Sequence, residues 1–326
     1  MIFLLFLLLA FCSENVECYS PVKAALVIDA KTGSVVYSFN ADVQTPPASL
    51  TKMMTLLLTY KALKQRKIRM NSTIRISRNA ANQSPCKLGL KVGDTITVKN
   101  AILAIITKSA NDIAVALGEF IGGSEKKFVE MMNKEAKRLG MKSTIFMNPS
   151  GWKNPRQLST ASDMAKLSRE LILKYREYYY LFNTKYFAYK KITMQNHNHL
   201  LGQHGDINID GLKTGYIAAS GYNLAASATH KRTHKRQRLI VVVLGGETAR
   251  KRDKQVLELF KKGFKRLNNQ LVDIMSSNVK SQQKAVRRLP MHQLLRQANI
   301  ITFDESERLL NDYLLYKQSV QNRKRK

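Results

Sequence analysis

Short apolar runs that favour strands occur in two groups along the chain, one early and one late. Residues 24–28 and 35–39 are rich in β-branched and aromatic side chains, and the turn-forming sequence of residues 29–33 separates them, as in a hairpin. Comparable runs return at residues 209–213, 222–228 and 239–244, and a very basic hairpin at residues 231–238 joins the last two. The pattern therefore predicts strands that are far apart along the chain.

Between the two groups, apolar positions recur with the period of a helix. The predicted helices cover residues 50–63, 99–110, 112–121, 124–139 and 162–175. A further segment, residues 254–267, places its apolar side chains on one face and is expected to close the domain. Strands from both ends around a helical block predict one sheet assembled from N- and C-terminal pieces, with an inserted, mainly helical subdomain.

The first residues carry a signal for export. Residues 2–12 form an unbroken apolar run that is too short to span a bilayer, which takes roughly 20 residues, but suits the apolar part of a secretory signal peptide. We expect a signal peptide over residues 1–18, cleaved after Cys18, and a mature protein in the periplasm or on the outer face of the cytoplasmic membrane. Cleavage would leave only Cys86 of the three cysteines, so no intramolecular disulfide is predicted.

Charge changes the range of expected partners. The chain has 54 Lys and Arg against 23 Asp and Glu, a formal net charge of +31, which attracts polyanions of any kind. Export disfavours nucleic acid and leaves anionic lipid and acidic wall polymers. Residues 268–326 are predicted to form a basic tail with one amphipathic stretch around residues 309–316. Two hypotheses remain for this tail: it binds an anionic membrane surface, or it is disordered and solvated.

Three short motifs carry the candidate chemistry: S-x-x-K, S-x-N and K-T-G. Each is common by chance in a chain rich in serine and lysine. S-x-x-K begins at Ser49, Ser84, Ser124, Ser150 and Ser277, among other serines, and K-T-G begins at Lys31 and Lys213. The context of each match therefore has to choose among them.

Only one ordered set of matches has all three motifs in suitable contexts. Ser49 alone precedes a long apolar helix, where backbone N–H groups and the helix dipole stabilise negative charge, and two prolines before it predict an extended approach. Lys52 lies three residues on, so its side chain shares a helical face with Ser49. Ser109 and Asn111 fall at a junction between two predicted helices, and Lys213 begins a K-T-G motif at the predicted end of a strand.

With these motifs the chain resembles the low-molecular-weight penicillin-binding proteins, the serine-type D-Ala-D-Ala carboxypeptidases, over about residues 24–264. The matching segments are residues 47–54 (PASLTKMM), 88–94 (LGLKVGD), 108–112 (KSAND), 147–151 (MNPSG), 210–216 (DGLKTGY) and 221–224 (GYNL). The chain departs from the family pattern at Tyr216, where many members have histidine, at Trp152, where leucine is usual, and in the basic tail.

The resemblance implies a fold and a division of the chain. The fold is α/β of the α+β type, like that of β-lactamases and transpeptidases: an antiparallel sheet built from N- and C-terminal segments, flanked by helices, with an inserted helical subdomain. Residues 21–267 would form the catalytic domain. No cofactor and no metal are expected, and three loop histidines, His197, His199 and His204, have no acidic or cysteine partners at ligand spacing.

The resemblance also implies roles for individual residues. Ser49 would attack the carbonyl between two D-alanines, Lys52 would act as the base, and Ser109 would relay a proton to the leaving amine. Lys52 can do so only when neutral, so burial and the nearby charge of Lys213 are expected to lower its pKa. The substrate-binding residues would be Asn111, Lys213, Thr214, Gly215, Tyr216 (through its backbone N–H) and Arg252.

Other functions remain open. A β-lactamase of the same fold would deacylate quickly, with a glutamate in an E-x-x-L-N motif between the second and third motifs. In this chain that motif occurs at residues 307–311, after Lys213, so chain order excludes the deacylating role. A D,D-endopeptidase would cut crosslinks instead of free pentapeptides. A non-catalytic relative would bind wall polymers or membrane through its charge. The expected ligands are peptidoglycan pentapeptide and, as inhibitors, β-lactams.

Overall fold

The computed structural model describes residues 22–231 and 237–286, with side chains as far as residue 269. The chain divides into two compact units, residues 1–267 and 268–326. The strands are β1 (Ala24–Asp29), β2 (Val35–Phe39), β3 (Thr73–Arg75), β4 (Thr95–Thr97), β5 (Tyr186–Tyr189), β6 (Ile192–Gln195), β7 (Gly202–His204), β8 (Ile207–Ile217), β9 (Gly221–His230) and β10 (Arg238–Gly246). The α-helices are α1 (Lys52–Lys64), α2 (Arg78–Ala81), α3 (Val98–Thr107), α4 (Asn111–Gly122), α5 (Glu125–Arg138), α6 (Ala161–Lys174), α7 (Arg176–Tyr179) and α8 (Ala249–Val286).

Six strands form one antiparallel sheet in the order β2-β1-β10-β9-β8-β7. N-terminal β1 pairs with C-terminal β10, with Ala24 opposite Leu244, so the sheet is built from the two ends of the chain as predicted. Strands β3 and β4 form a separate pair within the inserted helical region, and β5 and β6 form another. The predicted fold class is confirmed.

The sheet is buried on both faces, which explains why its strands are continuous apolar runs. Leu26 and Ile28 of β1 belong to the large core shared with the inserted helices. Val27, one residue away and on the opposite face, belongs to a second core with Phe260 and Phe264 of α8. The two faces therefore place the helical block on one side of the sheet and α8 on the other.

Some local predictions differ from the structure. Pro47 has helical backbone angles (φ −71°, ψ −15°), so the approach to α1 is a turn and not an extended segment. Lys213 lies within the eleven residues of β8 instead of at the end of a strand. The closing helix begins earlier, at Ala249, and continues to Val286, because no glycine or proline interrupts residues 268–286.

Several predictions fall on residues outside the described ranges. The export signal, its cleavage position and the amphipathic stretch at residues 309–316 are among them, so these stay predictions. Within residues 22–231 and 237–286, none of the helices combines the length and the apolar composition needed to cross a bilayer.

Candidate active site

Ser49 lies in a single 3₁₀ turn, Ala48–Thr51, that leads directly into α1. The side chain of Ser49 is half-buried, whereas Leu50, Thr51 and Lys52 are buried. Ala48 has a φ of +50°, a conformation that a residue other than glycine adopts only when its surroundings enforce it. The serine therefore sits on a tightly held turn one step before the helix, and the helix begins at the lysine.

Lys52 is fully buried and lies at hydrogen-bond distance from Ser49. Its Nζ is 2.9 Å from Ser49 Oγ and 2.7 Å from Asn111 Oδ1, and it also bonds the carbonyl oxygen of Ser150. Burial, reinforced by the positive charge of Lys213, lowers the pKa of Lys52 well below that of a free lysine. Both causes are the ones that the family resemblance implies.

The partners of Lys52 suit its neutral form. The oxygens of Asn111 and Ser150 can only accept, so they use the two N–H bonds of a neutral amine. The Ser49 hydroxyl can also donate, and its proton can then point at the nitrogen lone pair. A neutral Lys52 is thus fully hydrogen-bonded in a geometry that allows it to accept the Ser49 proton.

The contribution of Ser150 is a backbone contact that the sequence analysis did not predict. Asn148 Oδ1 accepts hydrogen bonds from Gly151 N (2.7 Å) and Trp152 N (3.2 Å) and so folds residues 148–152 into a turn. The turn is anchored to α1, because Thr55 Oγ1 donates to Pro149 O at 2.7 Å. Its carbonyls point at α1, which brings Ser150 O to Lys52.

Ser109 and Asn111 lie where α3 meets α4, as predicted. Asn111 Nδ2 donates to Pro85 O at 2.7 Å, which fixes the amide so that its oxygen faces Lys52. Ser109 has a φ of +58°, and its buried hydroxyl has no hydrogen-bond partner among the described residues. This hydroxyl, two residues before Asn111 in the chain, has no described partner and can therefore donate to or accept from a ligand.

Lys213 is a buried cation without an anionic partner. Its Nζ donates only to Thr214 O (3.0 Å), and no carboxylate in the described part of the chain is within ion-pair distance. Burial lowers the pKa of Lys213 to about 7; Cys86 opposes this shift, and the guanidinium of Arg252 reinforces it. Such a site is electrostatically complementary to a carboxylate.

Gly215, Tyr216 and Arg252 lie around this part of β8. A Cβ on Gly215 would be 3.0 Å from both Pro47 O and Ser49 N, so glycine here lets β8 contact the serine turn itself. Tyr216 is half exposed and packs against the Tyr222 ring at a centroid distance of 4.3 Å. Arg252 is buried and donates to Asn223 O at 3.2 Å.

β7 pairs only with residues 207–209 of β8, so among the described strands residues 213–217 pair with β9 alone.

His197 approaches the site although the sequence analysis assigned it to a solvated loop. Asn198 Nδ2 donates to Gly211 O (3.4 Å), which pins this loop to β8 two residues before Lys213. Partial desolvation, with the positive charges of Lys213 and Lys108, lowers the pKa of His197 to about 4. Asn196 and Asn198 are buried and alternate with the exposed His197 and His199, and the Asn-His-Asn-His sequence is the one pattern that could have indicated an anchored loop. His204 is occupied elsewhere, at 2.8 Å from Leu200 O.

Replacing Lys213 with methionine is expected to stabilise the folded protein by about 1–4 kcal/mol near neutral pH, because it removes an unpaired buried charge. The folded pKa is below the unfolded one, about 10.4, so wild-type stability rises with pH between these values. The gain in the free energy of unfolding of Lys213→Met over wild type should therefore be greatest below pH 7 and shrink towards pH 10.

Urea unfolding of both proteins across this pH range measures the effect. Lys126→Met, which replaces an exposed lysine on α5, is the matched control and should change stability by less than about 0.5 kcal/mol. An equal stabilisation by both substitutions would mean that hydrophobicity, and not the buried charge, is responsible.

A serine beside a buried, pKa-lowered lysine, on a turn that contacts β8 of an antiparallel sheet and leads into a helix, defines a class: proteins built like the penicillin-binding serine acyl-transfer enzymes. The family model described as D-alanyl-D-alanine carboxypeptidase matches residues 15–248. The chain belongs to this family.

Similar proteins agree with this assignment. D-alanyl-D-alanine carboxypeptidase DacF of Bacillus subtilis is 39% identical over 254 residues, which are 76% of this chain and 63% of that protein. Penicillin-binding protein 5 of Haemophilus influenzae is 37% identical, with a TM-score of 0.71 over 74% of this chain and 70% of that one. The ampicillin-bound penicillin-binding protein D2 of Listeria monocytogenes is 32% identical, with a TM-score of 0.67 over 76% and 99% of the two chains. The chain spans less than two thirds of the B. subtilis protein.

Proposed function

We propose that the protein is a serine D-Ala-D-Ala carboxypeptidase, which removes the terminal D-alanine from peptidoglycan stem peptides and is inhibited by β-lactams. The observation that carries the proposal is the contact between Lys52 Nζ and Ser49 Oγ at 2.9 Å, with Lys52 buried and its pKa lowered. The unpaired buried charge of Lys213 supports a substrate that ends in a carboxylate. Family membership supports the carboxypeptidase activity, and the ampicillin-bound relative supports the inhibition by β-lactams.

Acylation uses these residues in order. Lys52 takes the hydroxyl proton as Ser49 Oγ bonds to the carbonyl carbon of the penultimate D-alanine. The oxyanion that forms accepts hydrogen bonds from the backbone N–H groups of Ser49 and Tyr216, each typically worth about 10²–10³ in rate. The C–N bond then breaks: Ser109 gives its hydroxyl proton to the leaving amine and takes the proton held by Lys52, so that Lys52 is neutral again and the terminal D-alanine departs as the free amino acid.

Substrate binding and deacylation complete the cycle. Lys213, Thr214 and Arg252 hold the terminal carboxylate, and the unpaired edge of residues 213–217 receives the peptide backbone. Water attacks the Ser49 ester, Lys52 accepts its proton, and the shortened peptide leaves as an acid. No described carboxylate hydrogen-bonds to Lys52 or Ser49, which supports a slow reaction of water with a bound penicillin. Slow deacylation follows, unlike that of a β-lactamase.

Incubation with benzylpenicillin is expected to add one lasting penicillin to the protein, detected by intact-mass spectrometry. Ser49→Ala should give no adduct. Ser124→Ala is the matched control, because Ser124 also begins an S-x-x-K sequence but caps α5, accepting from Lys127 N at 3.2 Å; this variant should acylate like wild type.

Two other outcomes would overturn the proposal. Absence of an adduct with intact penicillin would favour a non-catalytic protein that binds wall polymers. Absence of an adduct with penicillin turned over faster than about 1 s⁻¹, an ordinary enzymatic rate, would identify a β-lactamase. Parallel assays on a free pentapeptide and a crosslinked muropeptide separate a carboxypeptidase from a D,D-endopeptidase.

The cellular setting is part of the same proposal. The protein is exported by its N-terminal signal and acts in the periplasm or on the outer face of the cytoplasmic membrane, where its substrate is found. The basic tail, residues 268–326, holds it at the anionic membrane surface. Deletion of these residues should release it from anionic vesicles, and unchanged vesicle binding would exclude the tail as the anchor.

A further inference from the structure

Asn223 is a fully buried side chain that joins three parts of the site. It lies in β9 directly opposite Gly215 of β8. Its Nδ2 lies 3.3 Å from Pro46 O, 3.4 Å from Pro47 O and 3.2 Å from Ser220 Oγ, and donates to these oxygens. Its Oδ1 accepts from Gly245 N at 2.8 Å. Because carbonyl oxygens only accept and a backbone N–H only donates, the chemistry of its partners fixes the orientation of the amide.

The two prolines that Asn223 holds begin the turn that carries Ser49. Pro47 O also accepts from Leu50 N at 3.2 Å, which closes the 3₁₀ turn. Gly215 faces the same turn and leaves room for it, since a Cβ there would be 3.0 Å from Ser49 N. Asn223 and Gly215 are therefore a cross-strand pair that positions the turn against the sheet. Asn223 does so by hydrogen bonding, and Gly215 does so because it has no side chain.

The turn needs such support because its backbone is strained. Ala48, between Pro47 and Ser49, has a φ of +50°, which costs an alanine about 1–2 kcal/mol and persists only when neighbouring contacts enforce it. Within the turn, the described hydrogen bond to Pro47 O comes from Leu50 N. The Asn223 amide adds a hydrogen bond to the same oxygen from β9 and so links the turn to the sheet.

Asn223 also connects the turn to the cationic side of the site. Its own backbone carbonyl accepts from Arg252 Nη1 at 3.2 Å. Arg252 is near enough to Lys213 to help lower the pKa of that lysine. One residue thus fixes the distance between the serine turn and the groups proposed to bind the carboxylate.

From these contacts we infer that Asn223 is a positioning residue for acylation: its side-chain amide holds the Pro46–Pro47 carbonyls so that the hydroxyl and N–H of Ser49 stay aligned with β8. The inference rests on the proposed function. The described hydrogen bonds of the Asn223 side chain go to Pro46, Pro47, Ser220 and Gly245 and not to Ser49, so its effect on Ser49 passes through the turn. Loss of the amide should impair the bond-forming step and leave the first, reversible encounter with a β-lactam nearly unchanged.

Two substitutions separate the donating side of the amide from its bulk. Asn223→Asp keeps the shape and the acceptor for Gly245 N but cannot donate to the proline carbonyls when ionised. Asn223→Ala removes both functions. Rapid-quench measurements with a fluorescent penicillin give the dissociation constant of the encounter complex and the acylation rate constant separately.

Asn133→Ala is the matched control. Asn133 also bridges backbone groups through its side-chain amide, donating to Phe146 O (2.8 Å) and accepting from Phe146 N (2.8 Å), but it belongs to α5. Its loss should lower the melting temperature without changing acylation. This control separates general destabilisation from a loss of alignment.

Both Asn223 variants are expected to reduce the acylation rate constant by about 10²-fold, the typical cost of a misplacement of about 1 Å. The encounter constant should stay within about threefold of wild type.

Acylation of folded Asn223→Asp within about threefold of wild type would overturn the inference and leave the proposed function intact. So would an equal loss of acylation in Asn133→Ala. If wild type itself is not acylated, the proposed function fails first, and the positioning role fails with it. If Asn223→Ala does not fold, Asn223→Asp decides.

Discussion

Replacing Lys52 with arginine is expected to slow acylation of Ser49 by at least about 10³-fold, the range for loss of a positioned base. Arginine keeps a positive charge at this position but does not lose its proton in proteins, so it cannot accept the proton of Ser49. Lys52→Met, which lacks any base, should be impaired to the same extent. The acylation rate constant for a fluorescent penicillin is the measurement, read at saturating penicillin so that binding does not contribute.

Lys61→Arg provides the matched control for this prediction. Lys61 lies on the same helix, but its Nζ pairs with Glu135 Oε2 at 2.7 Å, and arginine can keep that ion pair. Its acylation rate should equal that of wild type. If Lys52→Arg retained a tenth or more of the wild-type rate constant, Lys52 would act as a fixed charge and not as the base, and the mechanism proposed for Ser49 would need another proton acceptor.

Replacing Gly151 with alanine is expected to destabilise the fold by more than about 3 kcal/mol and to abolish acylation, an effect in the exceptional range for a single substitution. A Cβ at this position would be 1.9 Å from Ala48 O and 2.5 Å from Ala48 C, backbone atoms of the serine turn. The φ of +80° adds a cost of its own. Relief of the clash has to move either Ser49 or the Ser150 carbonyl that bonds Lys52.

The two contributions can be separated with a second glycine. Gly123, after α4, has a φ of +77°, but a Cβ there would meet no atom within 4 Å. Gly123→Ala should therefore cost only about 1–2 kcal/mol and leave acylation unchanged. Urea unfolding and penicillin acylation of both variants make the comparison. Similar losses from the two substitutions would mean that backbone conformation, and not the contact with Ala48, makes Gly151 necessary.

Much of the site could be predicted from local sequence. The spacing of Ser49 and Lys52 places two side chains on one face of a turn and helix, which needs no knowledge of the rest of the chain. The strand character around Lys213 and the helix junction at Asn111 follow from hydrophobic pattern in the same way. The structure brings Ser49, Lys52, Asn111 and Lys213 together, as expected from the resemblance.

The contacts that local sequence did not predict are made by backbone atoms or across the sheet. The Ser150 carbonyl reaches Lys52 over 98 positions of sequence, and no residue type marks a carbonyl as a ligand. Asn223 bonds Pro46 over 177 positions. A Cβ at position 215 would be 3.0 Å from Pro47 O and Ser49 N, a contact with the serine turn that local sequence does not indicate.

What the sequence by itself determined is therefore the set of parts: two groups of strands, a helical block, a serine with a lysine three residues away, and a second lysine far along the chain. These follow from periodicity and spacing, which are local properties. Only the tertiary structure decided that Lys52 is buried and close to the charge of Lys213, and hence that its pKa falls well below that of a free lysine. Desolvation and charge proximity depend on which distant segments pack together, so the chemistry of this lysine is a property of the fold.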